Sequence, residues 1–459
     1  MGRITLQQAA LWCGGSIDPK YKDVAFFGAC NDTRILQPGQ LFVALQGARD
    51  GHEFISAALE KGAAAVLCTH CDGDYPAIVV PDTRLALGDI ARQERKRLGV
   101  KVVAVTGSVG KSTTKEMVAS VLQSVYRVGK TPVNHNNDIG MPMAILALEE
   151  DTQVAVLEMG MNHFGEISYL TDIARPDVAV IVNIGTMHIE HLGSMEGILQ
   201  AKLEILEGMP ADGTVILNGD DTLLWNQKKT SVMQTHYFGV NNTACAVLGT
   251  EVTETEGKLS FTVRSEGRSL PIVLHLEGQH FVPDALAAIS VGLKLDVPAE
   301  KIRESLAAFQ NMEGRQQIYE KNGYTIIEDC YNAGPESMAA ALAVLGNRSG
   351  RRVAVLGDML ELGVNTQAEH YRIGRIAAEK AEVLLAFGPN SARVLNGALT
   401  GGMPPSHARA FTDREKLVQV LKFLAKPADT ILFKGSRGMR MELILQAFLQ
   451  KETETEDRA

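Results

Sequence analysis

The chain has 459 residues, too many for one core, and 54 acidic against 45 basic residues leave a net charge of −9. At 45% hydrophobic and 22% charged it is globular in composition, and without a basic block it is a poor match for nucleic acid or an anionic membrane surface. No apolar run approaches the ~18 residues of a membrane span, and six scattered cysteines suit a reducing compartment. A cytoplasmic protein of two to four domains acting on a small molecule is therefore expected, with no nucleic-acid partner and no membrane insertion; a monomer is expected too, though none of these numbers decides it.

Gln7 and Gln8 interrupt the apolar stretch of MGRITLQQAALWCGG, which predicts a short amphipathic helix ended by Gly14 and Gly15 rather than a signal-peptide core. Residues 1–98 then form a small α/β unit, with strands at LFVAL (41–45) and AAVLC (64–68). Helices are predicted at HEFISAALEKG (52–62) and around LALGDIARQERKRLG (85–99). Cys68 and Cys71 make a lone C-x-x-C; with no second ligand pair they are ordinary thiols.

Residues 99–310 alternate strands with helical stretches: VVAV (102–105), VAVLEMG (154–160), VAVIVNIG (178–185) and TVILNGDD (214–221). This rhythm predicts a parallel sheet with helices on both faces. Alternating apolar and polar residues with glycine turns over 245–276 predict an antiparallel appendage, followed by a helix at DALAAISVGLKL (284–295). From 311 to 459 the rhythm restarts at YTIIED (324–329), RVAVLGDM (352–359), EVLLAFG (382–388) and TILFKGS (430–436), predicting a second doubly wound, Rossmann-like domain. The charged tail KETETEDRA is expected to fray. The fold class is thus α/β with three domains: a small N-terminal α/β domain, a central phosphate-loop domain and a Rossmann-like C-terminal domain.

The first central strand runs into TGSVGKS (106–112). A full phosphate-loop pattern needs Gly six positions before its Lys, but position 105 is Val, so this is a shorter form. Gly107 and Gly110 permit the tight turn, and the backbone N–H groups of Ser108 and Val109 would face phosphate together with the helix dipole. Lys111 would reach the outer phosphates, and Ser112 or Thr113 would offer a hydroxyl to Mg²⁺. Helical spacing of Met117, Val118, Val121, Leu122 and Val125 supplies the strand–turn–helix context. The alternative is a structural glycine turn before a helix.

Glu158 ends the next strand, where a carboxylate is a metal ligand or a helix cap. Of His188 and His191, past the third strand, one is a candidate for a second metal. In GILQAKLEIL the residues Ile198, Leu199, Leu203, Ile205 and Leu206 wind onto one face, and Lys202 projects at its centre while Glu204 points away. A buried ammonium is costly unless paired or chemically altered; snorkelling to the rim is the alternative.

With these residues assembled the chain resembles the Mur ligases, ATP-dependent amide-bond formers, over essentially its whole length. The resemblance rests on TGSVGKS, VNHNNDIGMP (133–142), Glu158, His188 after NIG, and AKLEI (201–205). DTRILQPGQLFVALQGARDGHEFI (32–55), EDCYNAGPESM (328–338), LGDMLELG (356–363) and KGSRGMRME (434–442) match members that join D-alanyl-D-alanine to UDP-N-acetylmuramoyl-tripeptide, whereas the DNPR signature of a relative is absent.

The resemblance implies that ATP phosphorylates the tripeptide carboxylate, that the dipeptide amine attacks, and that two Mg²⁺ assist. It assigns Lys111, Glu158, His188 and Lys202 to catalysis. Ser112, Glu158, His188 and Lys202, the last carbamylated by CO₂, would hold metal. Thr33, Arg34, Gly51, His52, Asn136 and Asn137 would meet the UDP substrate; Tyr331, Asn332, Ser436 and Arg437 the amino substrate. Arg315 and Asp329 would join at the nucleotide from the C-terminal domain.

Two departures stand out: Phe281 and Asp284 replace the asparagines of the adenine side, and Gly334 replaces an Asn. Phe281 is expected to stack on adenine, with core packing as its alternative, and Asp284 to accept from the adenine amino group. Two other functions compete. A phosphate-loop switch ATPase would explain the cradle but not Lys202 or the third domain. A folylpolyglutamate-type ligase lacks the DGH and YNAGP segments.

Overall fold

β-branched runs of four to six residues, buried on both faces, set the architecture. The computed structural model describes residues 4–229 and 233–450; the KETETEDRA tail lies outside the described residues. The chain packs as two units. The first comprises Met1–Asn183, Leu199–Leu248 and Asp284–Ser305; the second comprises Ile184–Ile198, Gly249–Pro283 and Leu306–Ala459. Among the described residues no helix is long and apolar enough to cross a membrane.

The first unit opens with β1 (Ile4–Thr5) paired antiparallel to β2 (Ala25–Phe26). Between them lies the predicted helix, Leu6–Cys13, started by a Thr5–Gln8 capping box and stopped by Gly14 at φ 65°. Four short parallel strands follow in sheet order: β3 (Ala29–Cys30), β4 (Leu41–Val43), β5 (Ala65–Cys68) and β6 (Ala77–Val79). Helix Thr83–Leu98 leads onward, capped by Asp82 and by Gly99. It packs on helices Gly140–Leu146 and Glu166–Ala174, and Arg95 donates to the carbonyls of Ala174 and Arg175 at 2.8 Å each.

The central sheet contains β7 (Lys101–Thr106), β8 (Val128–Lys130), β9 (Val154–Glu158), β10 (Val178–Ile181), β11 (Thr214–Asn218), β12 (Gln234–Gly239) and the start of β13 (Val247–Thr255). Their order is β13-β12-β11-β10-β7-β9-β8, every pairing parallel. Progression reverses at β7: β9 lies on one side and β10 on the other. That reversal opens a crevice at the carboxyl ends of these strands.

In the second unit β14 (Lys258–Ser265) and β15 (Arg268–Leu274) form the predicted antiparallel hairpin, turned by Glu266 and Gly267, both at positive φ. Arg348 ties down this region, with its guanidinium 2.7 Å from Glu256 and 3.2 Å from the buried Glu277. The last sheet contains β16 (Gln317–Lys321), β17 (Tyr324–Asp329), β18 (Arg352–Gly357), β19 (Val383–Phe387), β20 (Ala408–Phe411) and β21 (Thr430–Lys434). It runs β16-β17-β21-β18-β19-β20, parallel except for the β16–β17 hairpin. Apolar clusters cover both of its faces.

Helices Thr366–Lys380 and Ser391–Thr400 cross where Gly374 meets Gly397. A Cβ on Gly374 would fall 2.0 Å from the Val394 carbonyl oxygen, and one on Gly397 2.0 Å from that of Tyr371. Helix propensity alone makes Gly→Ala stabilising by about 1 kcal/mol. Here backbone blocks the methyl, so Gly374→Ala should instead lower stability by about 1–3 kcal/mol, read as a lower urea midpoint.

Candidate active site

The crevice beside β7 is built around the phosphate loop. Gly107 runs so close to β10 that a Cβ would lie 3.0 Å from Val182 Cβ. Gly110, at φ 84°, ends the turn, and helix Lys111–Gln123 begins at once. Asn183, just beyond β10, braces the loop. Its Oδ1 accepts from the N–H groups of Ser108 and Val109 at 3.1 and 2.9 Å, and its Nδ2 donates to the Val109 carbonyl at 2.8 Å. Lys111 Nζ donates to the carbonyls of Gly107 (2.8 Å) and Ser108 (3.2 Å), which holds its charge over the cradle. Ser112 and Thr113 are buried in the first helical turn, where N–H groups and the dipole favour an anion.

Asp284 needs correcting. It does not reach out for adenine: it is buried under the loop, its Oδ1 accepts from Thr114 Oγ1 at 2.8 Å, and a Cβ on Gly110 would lie 2.5 Å from that oxygen. The slot left by the missing Gly110 side chain is filled by this carboxylate.

Glu158 closes β9 and is buried. Its N–H donates to Thr131 Oγ1 at 3.0 Å, and its Oε1 accepts from Asn136 Nδ2 at 2.9 Å. Among the described residues its side chain caps no helix. Asn136, expected at the UDP substrate, is thus engaged with Glu158. Asn137 is likewise taken locally, its Oδ1 accepting from Gly140 N–H at 2.8 Å where helix Gly140–Leu146 starts. Among the described residues Glu158 has no ion-pair partner. A buried carboxylate without a counter-cation, together with a buried hydroxyl in the phosphate loop, suits Mg²⁺, which takes one or two protein oxygens and fills its shell with phosphate and water.

Lys202, on helix Met195–Leu203, is 2% exposed. Burial, and then the nearby charge of Lys111, push its ammonium well below the usual lysine range. The helix-face argument therefore holds for Lys202. It fails for Glu204, which is also buried. The carboxylate of Glu204 accepts from the N–H groups of Gly165 (2.8 Å) and Ser168 (3.1 Å) at the start of helix Glu166–Ala174, whose unpaired donors offset its desolvation.

Near the N-terminus, Arg34 is exposed and forks onto Asp32 (2.6 Å), which draws that carboxyl down to about 2; the Thr33 carbonyl accepts from Lys61. Gly51 and His52, expected at the UDP substrate, are held by local structure. A Cβ on Gly51 would lie 2.6 Å from Leu45 N. His52 Nδ1 lies 2.6 Å from Asp50, its Nε2 accepts from Thr69 N–H at 3.0 Å, and its ring stacks on His70.

In the second unit His188 has a left-handed backbone (φ 65°) and its Nδ1 lies 2.7 Å from Glu361 Oε2. His191 is exposed. Phe281 is buried against the His280 ring, with centroids 4.2 Å apart, so its core reading replaces adenine stacking. At Gly334 a Cβ would come within 3.0 Å of Met187 Cγ. Arg315 lies over the Tyr331 ring, 4.0 Å from its centroid. Asp329 pairs at 2.6 Å with Lys434, which also donates to the Asn332 carbonyl.

Ser436 is buried, donating to the Ala333 carbonyl at 3.0 Å and accepting from Leu360 N–H at 2.9 Å, so it shapes the backbone there; Arg437 is exposed beside Glu442. The sequence reading missed Asn183, Lys434 and Asp358. Asp358 is buried after β18 and accepts from Asn390 at 2.9 Å. Each sits at a strand's carboxyl end, the signal that could have found it.

Residues 105–292 match the Mur ligase middle domain and residues 314–437 the Mur ligase, glutamate ligase domain. The chain belongs to the Mur ligase family. A Bacillus subtilis relative named UDP-N-acetylmuramoyl-tripeptide--D-alanyl-D-alanine ligase is 38% identical, with 95% of this chain and 96% of that protein covered. Among solved structures, MurF from Acinetobacter baumannii superimposes with a TM-score of 0.90 at 32% identity, covering 98% of this chain and all of that one. MurF from Thermotoga maritima in complex with ADP gives 0.79 at 28% identity, covering 92% and 97%. This Mur ligase therefore carries its family's α/β fold.

The depressed Lys202 supplies a test. Below its ordinary value near ~10.4 the unfolded chain holds a proton that the folded Mur ligase sheds over the upper part of that range, so stability should rise with pH there. In bicarbonate-free buffer Lys202→Met should be more stable than wild type at neutral pH. That advantage should shrink by up to about 1.4 kcal/mol per pH unit as pH rises towards 10. Parallel urea midpoints for the two proteins across this range would show that the ammonium is not destabilised.

Proposed function

We propose that this chain uses ATP to join D-alanyl-D-alanine to UDP-N-acetylmuramoyl-tripeptide in peptidoglycan precursor synthesis, as a cytoplasmic monomer. The observation that carries the reading is the crevice beside β7, where a phosphate loop, the uncompensated carboxylate of Glu158 and the buried Lys202 converge in a chain that matches ligases of that name end to end. The ADP-bound Thermotoga relative supports ATP as the nucleotide. We assign residues 1–98 to the UDP-sugar end, 99–310 to ATP and 311–459 to the dipeptide.

In this reading the tripeptide carboxylate oxygen attacks the γ-phosphorus, ADP departs with the bridging electron pair, and an acyl phosphate remains. The dipeptide amine then attacks the acyl carbon, loses its proton, and phosphate leaves. The first step brings anions together, and Lys111 with the N-terminal dipole of its helix lowers that repulsion, because the N–H groups of Ser108 and Val109, expected at the phosphates, are taken by Asn183. Gly107 and Gly110 let the backbone approach the phosphates, Asp284 and Asn183 keep the loop in shape, and Arg315 and Asp329 serve the nucleotide. Two Mg²⁺, held by Ser112, Glu158, His188 and a modified Lys202, would neutralise developing charge.

The modification is a carbamate. An amine kept neutral by burial adds to CO₂, releasing one proton and leaving an anion where a cation would be costly. Thr33 and Arg34 serve the UDP substrate; Tyr331, Asn332 and Arg437 serve the amino substrate.

Phosphate release from purified protein should need both the UDP-tripeptide and the dipeptide; release with ATP alone would favour a switch ATPase. Lys202→Arg, which cannot form a carbamate, should lose roughly 100-fold in turnover, and full activity would end the carbamate assignment. Lys202→Ala should recover part of its loss when a small carboxylate is added.

A further inference from the structure

One helical turn beyond Lys111, on the same helix, lies a second lysine with no part in the chemistry above. Lys115 is completely buried. Its Nζ donates to the Thr131 carbonyl at 2.8 Å and lies 2.9 Å from Glu116 Oε1. Glu116 also pairs with the partly exposed Lys130, so it has a cation without Lys115. Burying an ammonium costs more than burying an apolar chain of the same volume, and nothing in the packing alone calls for one here.

What Lys115 holds is the residue that holds Glu158. Thr131, also buried, donates its N–H to the Val156 carbonyl on β9 at 3.1 Å and accepts the Glu158 N–H on its hydroxyl at 3.0 Å. Five residues on, Asn136 donates to Glu158 Oε1 at 2.9 Å and accepts from Gly160 N–H on its carbonyl at 2.8 Å. The 131–136 segment thus grips Glu158 by main chain and side chain, and its near end is fastened by the ammonium of Lys115.

We infer that Lys115 is a positioning residue: it ties the 131–136 segment, which grips Glu158 at the end of β9, to the helix that carries Lys111, fixing the carboxylate relative to the phosphate cradle. Neighbours of a metal ligand typically alter metal affinity 10- to 100-fold when removed, and a tie of this kind belongs with them. The inference rests on Glu158 as a Mg²⁺-binding carboxylate.

The test is calorimetric binding of a non-hydrolysable ATP analogue to the full chain over a Mg²⁺ series, beside thermal unfolding without metal. Lys115→Met should raise the Mg²⁺ needed for half-maximal binding by about tenfold and leave affinity for the metal-free analogue within about twofold. Thr131→Val, which keeps the carbonyl that Lys115 uses, should give the same shift, and the double variant no more than either alone. Should Lys115→Met not fold, the Thr131→Val shift decides. A lower melting temperature with unchanged Mg²⁺ dependence in the variants, while Glu158→Gln does shift it, would overturn the inference and leave Lys115 a core residue. If Glu158→Gln itself leaves Mg²⁺ dependence unchanged, the metal reading of Glu158 falls and the inference with it.

Discussion

The reversal of strand order at β7 is the constraint on which the crevice of the phosphate loop depends. Because β9 and β10 flank β7 on opposite sides, the turns leaving all three strands open onto one gap. The phosphate loop leaves β7, Glu158 closes β9 and Asn183 follows β10. Regular parallel pairing brings these residues together from distant parts of the sequence, and the loop glycines admit the backbone where side chains could not fit.

That gap concentrates charge away from water. Burial first, and then the charge of Lys111, disfavour the Lys202 ammonium, while Glu158 and Asp284 are buried carboxylates treated in opposite ways. Asp284 is satisfied by Thr114 and shapes the loop; Glu158 is held in place by Thr131 and Asn136 but has no ion-pair partner among the described residues. A group that is oriented but not neutralised keeps its electrostatic potential for whatever binds next.

Sequence made some of this legible. The strand–glycine turn–helix signal located the cradle, and 100° periodicity found Lys202 inside because its apolar neighbours are local. The same periodicity misjudged Glu204, whose donors at Gly165 and Ser168 lie 39 and 36 residues away. Asp284 failed for the same reason: its partner Thr114 is 170 residues distant, and a family pattern suggested adenine instead. His52, Gly51 and Asn137 sit in patterned motifs, yet tight turns and caps demand patterned residues as strictly as ligands do. Short strands such as β8 and β20 escaped because three or four residues carry little periodic signal, and β16 was missed as well, although Asn322-Gly323, both at positive φ, is the turn signal that could have marked the β16–β17 hairpin.

The interleaving of the two units bears on how the chain is made. Each is assembled from three separate stretches, so neither is complete when its first stretch leaves the ribosome. The phosphate loop is synthesised early, but the carboxylate that fills the slot beneath Gly110 arrives only with residue 284. Domains ordinarily fold N-terminal first during synthesis. Here the nascent first unit must wait, partly formed and with sheet edges unpaired, while most of the polypeptide is translated. Its period of greatest vulnerability to aggregation is therefore set by the speed of translation between residues 183 and 305.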